Sequence, residues 1–190
     1  MIPKTMHAVQ LTGHGGLDML SYRTDVPVPV PAVDEVLIRV TAAGVNNTDI
    51  NTRIGWYSKS VTADTNSGGS SGIIDLNGDD ASWAGVPLVF PRIQGADVSG
   101  HIVAVGKNVN PTRIGERILA RTMMQDPKNS DRFYCWTMGS ECDGGFAQYC
   151  KTKSSEAFVI NSAWSDIELA SIPCAYSTAE NMLNRVNLGA

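Results

Sequence analysis

The hydrophobic pattern is mostly that of strands up to about residue 160 and becomes helical only beyond it. The clearest strand signal lies at 95–106. There Val98, Gly100, Ile102, Ala104 and Gly106 fall on one face, and Ser99, His101, Val103 and Val105 on the other. Apolar residues on both faces predict a buried strand, entered through a turn at Gly95 with Ala96 and Asp97 at its mouth. Residues 6–11 predict a first strand, and 19–23 a short second one after the glycine-rich turn at 13–16. The Val-Pro alternation at 26–31 lacks every second backbone donor, which predicts an extended connector or a sheet edge. Further strands are expected at 35–43, 115–121, 145–151 and 157–160.

Between these strands the pattern changes twice. Residues 46–54 are short and polar, and Asn, Thr and Asp favour turns and helix starts, so a loop should run into a short helix that stops at Gly55. Trp56 and Tyr57 follow directly. Residues 58–91 are irregular, with a Gly/Ser run at 67–72 and a polar run at 75–80. Asp75, Asn77 and Asp79 have calcium-loop spacing, but Asp80 replaces the glycine at position six and Val86 the glutamate at position twelve. A solvated surface excursion is therefore expected. Near the end, Ser165 and Glu168 have capping-box spacing. From Ser177, the residues Ala179, Met182, Leu183 and Val186 recur at helical spacing, with Gly189 as a cap. The fold class is mainly β (α+β), with short helices and a helical C-terminal segment.

Composition adds exclusions. Of 190 residues, 43% are hydrophobic and 18% charged, enough for a sizeable core, and the formal net charge of −4 offers no basic patch for nucleic acid. No apolar run is long enough to span a membrane. Cys135, Cys142, Cys150 and Cys174 show no regular pairing, so reduced thiols and a cytoplasmic setting are expected. The sequon Asn46-Asn47-Thr48 carries no weight without a secretory signal.

Five local patterns occur in order: Met6-His7-Ala8-Val9; Asp34-Glu35-Val36-Leu37-Ile38-Arg39-Val40; Ala43-Gly44-Val45-Asn46-Asn47-Thr48-Asp49; Gly95-Ala96-Asp97-Val98-Ser99-Gly100 with Val103-Ala104-Val105-Gly106; and Asp143-Gly144-Gly145-Phe146-Ala147-Gln148-Tyr149. Together they resemble the medium-chain dehydrogenase/reductase superfamily over nearly all of the chain except 58–91 and 123–142. The resemblance implies a GroES-like, partly open β-barrel, the family's catalytic domain, over 1–160, with 58–91 as a surface insertion. Residues 161–190 would be a helical connector toward a nucleotide-binding domain that is not in this chain, which has no Gly-x-Gly-x-x-Gly loop after a strand. A fragment or incomplete gene product, inactive alone, is expected. The full-length protein could be a homo-oligomer.

Zinc-dependent members carry Cys where this chain has Asn46, His-Glu where it has Ala96-Asp97, and Cys at the position of Cys174. Catalytic zinc takes three protein ligands, and only Cys174 matches. The structural zinc lobe needs four close cysteines, and 123–142 supplies only Cys135 and Cys142. No metal is expected. The pattern is instead similar to the zinc-free quinone oxidoreductase branch, which passes hydride from NADPH to a quinone or enone while hydrogen-bond donors hold the developing oxyanion. By that resemblance Asn46, Thr48 and Tyr57 are candidate catalytic donors, and Asn47 and Trp56 line the substrate pocket. Tyr176 and Thr178 would approach the nicotinamide of NADPH or NADH. Each has a plainer alternative: helix caps for Asn46 and Thr48, an aromatic pair for Trp56 and Tyr57, and helix-start residues for Tyr176 and Thr178. Asp49 should anchor the loop, and Cys174 should be a small buried residue. Two other readings stand beside this one: an alcohol dehydrogenase with a degenerate metal site, and a non-enzymatic GroES-like interaction module.

Overall fold

The structure, a computed structural model, describes residues 1–62, 64, 68–73, 76, 78–125, 135–186 and 188. The calcium-like spacing at Asp75 and Asn77 and the cap expected at Gly189 lie outside them. The period-two segments form antiparallel sheets. Strands β1 (Thr5–Leu11) and β2 (Leu20–Pro27) make a hairpin-like pair, and β3 (Glu35–Gly44) leads into helix α1 (Asn47–Ile54). After the 58–91 excursion come β4 (Arg92–Ile93), β5 (Asp97–Val105), β6 (Arg117–Ala120), β7 (Met123–Gln125) and β8 (Cys135–Thr137). Strands β9 (Tyr149–Lys153) and β10 (Ala157–Val159) precede helices α2 (Asp166–Leu169) and α3 (Pro173–Arg185). A five-stranded sheet runs in the order β10-β6-β5-β3-β9, a three-stranded one β2-β1-β4, and β7 pairs with β8. The sheets curl into a partly open barrel with β5 at the centre of the largest.

The core follows from that placement. Val36, Ile38, Val98, Ile102 and Ile118 come from adjacent strands and are fully buried, with Met124, Met138 and Cys150 packed among them. The strict two-face assignment of β5 holds only as far as Ile102. Register shifts occur where Leu37 and Ile38 face Ala104 and Ile102, leaving Val103 as an extra residue. A bulge of this kind turns the following side chains over, so Val105, not Ala104, packs against the core. Gly95 enters β5 at φ +105°, and a Cβ there would lie 2.6 Å from the Phe146 backbone nitrogen, so only glycine fits.

Three other expectations shift. The strand expected at 145–151 begins at Tyr149. Residues before it divide their hydrogen bonds: the Gly145 and Phe146 amides bond the carbonyls of Gly95 and Gln94, and the Phe146 carbonyl accepts from the Val9 amide. The helix expected from Ser177 starts at Pro173, because proline at the first helical position needs no amide partner. Its Met182, Leu183 and Val186 point to solvent. Finally, the 58–91 excursion is not wholly on the surface: Ser58, Ala81, Ser82 and Leu88 are buried. The Asp80 carboxylate ties it down by accepting from the Ser58 hydroxyl (2.6 Å) and the Lys59 amide (3.1 Å).

Candidate active site

Helix α1 is set by its ends. Asn46 caps it in an extended conformation, its amide donating to Asp49 Oδ2 at 2.8 Å, and Gly55 closes it in the left-handed region. That places Thr48 in the first turn and Tyr57 just past the last, and their hydroxyl oxygens meet at 2.8 Å. Burial raises the Tyr57 phenol above its ordinary value, opposed by hydrogen bonds from Thr48 and Asn51, so the phenol keeps its proton. Asn51 is itself buried, and its Oδ1 has no hydrogen-bond partner among the described residues.

These groups open onto a cleft of about 860 Å³. One side is α1 and its neighbours, with Asn46, Asn47, Thr48, Asn51 and Tyr57. Another part of the lining is α3, where Cys174, Ser177, Thr178 and Asn181 share one face at helical spacing. Trp83, from the excursion, and Arg121, Thr122, Met123 and Thr137, from around β7 and β8, complete the lining among the described residues.

Two buried carboxylates hold the floor. Asp49 Oδ1 accepts from the Gly95 amide (3.0 Å) and the Ala96 amide (3.2 Å), so this one side chain joins α1 to the mouth of β5. Gln94 adds a side-chain bond to the Asp49 carbonyl at 2.7 Å. Burial pushes the Asp49 carboxyl up to about 6 against the pull of its three amide donors, and the nearby Asp97 charge adds to the rise. Asp97 accepts the Cys174 amide at 2.6 Å, in the first turn of α3, and is also bonded by the Asn46 side chain. Burial raises it as well. The Cys174 thiol is pushed up to about 11, first by burial and then by the charges of Asp97 and Asp49.

The donor set suits zinc poorly. Of the three positions that ligate in zinc enzymes, one offers a neutral amide, one the methyl of Ala96, and only Cys174 a thiol; Asp97 is committed to the Cys174 amide and the Asn46 side chain. Among the described residues no group of three or more His, Cys, Asp or Glu side chains stands close enough to hold a metal ion.

Of the residues singled out from sequence, the structure brings Asn46, Asn47, Thr48, Tyr57 and Thr178 to one cleft. Trp56 stands beside Tyr57, with ring centroids 5.8 Å apart, and is not part of the cleft wall. Tyr176 is exposed and does not line the cleft, because the helical phase that turns Cys174, Ser177, Thr178 and Asn181 inward turns it away. Thr178 donates its hydroxyl hydrogen to the Cys174 carbonyl at 2.7 Å, leaving its oxygen lone pairs toward a ligand. Asn51, Trp83 and Arg121 were not anticipated. Asn51 is one helical turn from Thr48 and could have been found from the period; Trp83 and Arg121 arrive through tertiary packing alone.

Residues 32–162 match the model of the alcohol dehydrogenase GroES-like domain. The chain belongs to this family. Among similar GroES-like proteins is a mitochondrial NAD(P)H oxidoreductase, RTN4IP1, of Dictyostelium discoideum, 29% identical over 95% of this chain and 41% of that protein. The quinone oxidoreductase of Homo sapiens is 27% identical over the same shares, 95% and 41%. The crystal structure of a protein assigned as an alcohol dehydrogenase, from Sinorhizobium meliloti 1021, superposes with a TM-score of 0.80 at 44% identity, covering 100% of this chain and 49% of that one. The chain thus spans two-fifths to one-half of the length of these relatives.

Proposed function

We propose that this GroES-like chain forms the acceptor side of an NAD(P)H-dependent oxidoreductase that reduces a quinone, enone or related carbonyl without zinc. The observation that carries it is the Thr48–Tyr57 hydroxyl pair, 2.8 Å apart, inside a cleft whose donor set suits zinc poorly. Bound NADPH or NADH would supply the hydride. The oxygen that gains charge as the acceptor is reduced needs a hydrogen-bond donor in place of a metal. Tyr57 keeps its phenolic proton and can donate it, while Thr48 orients the phenol and Asn46 stands at the same wall. The buried Oδ1 of Asn51, without a hydrogen-bond partner among the described residues, offers an acceptor to a donor on a bound molecule, since a buried polar atom is costly until paired. Thr178 and Ser177, which line the cleft from α3, would touch the nicotinamide. A cytoplasmic setting belongs to the same proposal, supported by four free cysteines; no helix among the described residues is long and apolar enough to cross a membrane.

The test is Tyr57→Phe in the full-length protein, assayed by NAD(P)H consumption with a quinone. Losing one donor to a developing oxyanion costs about 100-fold in kcat. An unchanged kcat in the correctly folded variant would remove Tyr57 from the chemistry.

A further inference from the structure

The excursion at 58–91 lies outside the family-like patterns of the sequence, yet its Trp83 lines the cleft. Trp83 meets Tyr57 nearly at right angles, with ring centroids 4.6 Å apart and an interplanar angle of 84°. Its backbone is fixed by residues remote in the chain: the Trp83 amide donates to Ser140 Oγ (3.2 Å) and the Ala84 amide to Glu141 Oε1 (2.8 Å). Ala81 and Ser82 just before it are fully buried, and Asp80 is held by Ser58 and Lys59. A residue pinned this firmly is not a drifting surface tryptophan. The residue lines the cleft and is nevertheless 38% exposed.

We propose that Trp83 is the specificity-determining wall of the cleft, against which a flat fused-ring acceptor lies with its carbonyl toward Tyr57 and Thr48. The site then prefers bicyclic quinones to acyclic enones. The inference rests on reading the cleft as the acceptor site. A planar ring covers an exposed indole with little loss of its own freedom, because it has no rotors to fix, whereas a short acyclic chain covers less area and loses torsional freedom. The Tyr57 ring, perpendicular to Trp83, closes the second side of the same corner.

The experiment titrates the 190-residue chain with 2,3-dimethyl-1,4-naphthoquinone, which has no free quinone-ring carbon for thiol addition, and separately with the acyclic enone 4-methylpent-3-en-2-one. Amide and indole N–H resonances are followed by two-dimensional NMR. The Trp83 indole signal is identified among the four tryptophans by its loss in Trp83→Phe. The expected result is a shift of that signal with the naphthoquinone and an approximately tenfold fall in the affinity ratio, naphthoquinone over enone, in Trp83→Ala. Trp83→Phe, which keeps a smaller flat face, should fall between the two and guards against an alanine variant that does not fold. If the wild-type chain binds the naphthoquinone elsewhere, or its affinity ratio is the same in Trp83→Ala and Trp83→Phe, the inference is overturned while the reading of the cleft stands. If the wild-type chain binds neither compound, the reading of the cleft falls, and the inference with it.

Discussion

Asp49 offers the sharpest quantitative test of the buried floor. Its carboxyl is nearly inaccessible, accepts three backbone amides, and is raised from 3.8 to about 6. For an acid, a raised folded-state value means that the folded chain holds a proton the unfolded chain has already released. Below about pH 4 both states are protonated and the group costs nothing. Between about pH 4 and pH 6 stability falls as pH rises, and above pH 6 both states are ionised and the full cost is present. A shift of about two units corresponds to about 3 kcal/mol. Asp49→Asn removes the titration while keeping an oxygen for Gly95 and Ala96. Its NH₂ would oppose the Asn46 amide, a fixed cost of about 1 kcal/mol that does not vary with pH. Urea unfolding of both proteins from pH 4.5 to 7.5 should therefore show the variant gaining on the wild type by about 2 kcal/mol across the range. The raised Asp97 is common to both proteins, and its charge is the smallest contribution to the Asp49 rise, so the difference between them is set by the burial of Asp49. A difference that is flat with pH, or a wild type that gains as pH rises, would show that the three amides outweigh burial and would refute the argument.

Two further outcomes follow from the same frame. Gly95→Ala forces a side chain into a positive-φ position 2.6 Å from the Phe146 nitrogen, and should cost about 2–4 kcal/mol by denaturant unfolding; a cost under about 1 kcal/mol would mean that the turn can rearrange. Arg117 pairs with Asp166 at 2.7 Å and donates to the carbonyls of Ser162 (2.9 Å) and Trp164 (2.6 Å), so Arg117→Ala should make 160–169 the first site of limited proteolysis, whereas unchanged cleavage would show the segment is held by other contacts.

How much of this was legible in the sequence depends on whether the signal was local. Val36, Ile38, Val98 and Ile102 alternate with the period of a strand, and β3 and β5 follow from them. The bulge at Val103 was not visible, since it exists only in the pairing of β5 with β3. The Asn46 cap and the stop at Gly55 were legible because capping and left-handed termination are written in residue type. Tyr57 joined them because it directly follows that helix. Tyr176 came from resemblance alone; the helical phase from Pro173 turns it away from the face that lines the cleft. Trp83 carried no local signal at all: its segment is held against Tyr57 by bonds to Ser58, Ser140 and Glu141, all remote from it in the chain.

The central claim is acceptor reduction without a metal, with Asn46, Ala96 and Cys174 at the positions where zinc-dependent members carry ligands. Metal-free reduction is tested most directly by zinc content and turnover together, measured on the full-length protein before and after treatment with a strong chelator. The account predicts zinc well below one atom per chain and an unchanged rate of NAD(P)H consumption with a quinone. Stoichiometric zinc, with activity lost on chelation and restored by added zinc, would contradict it.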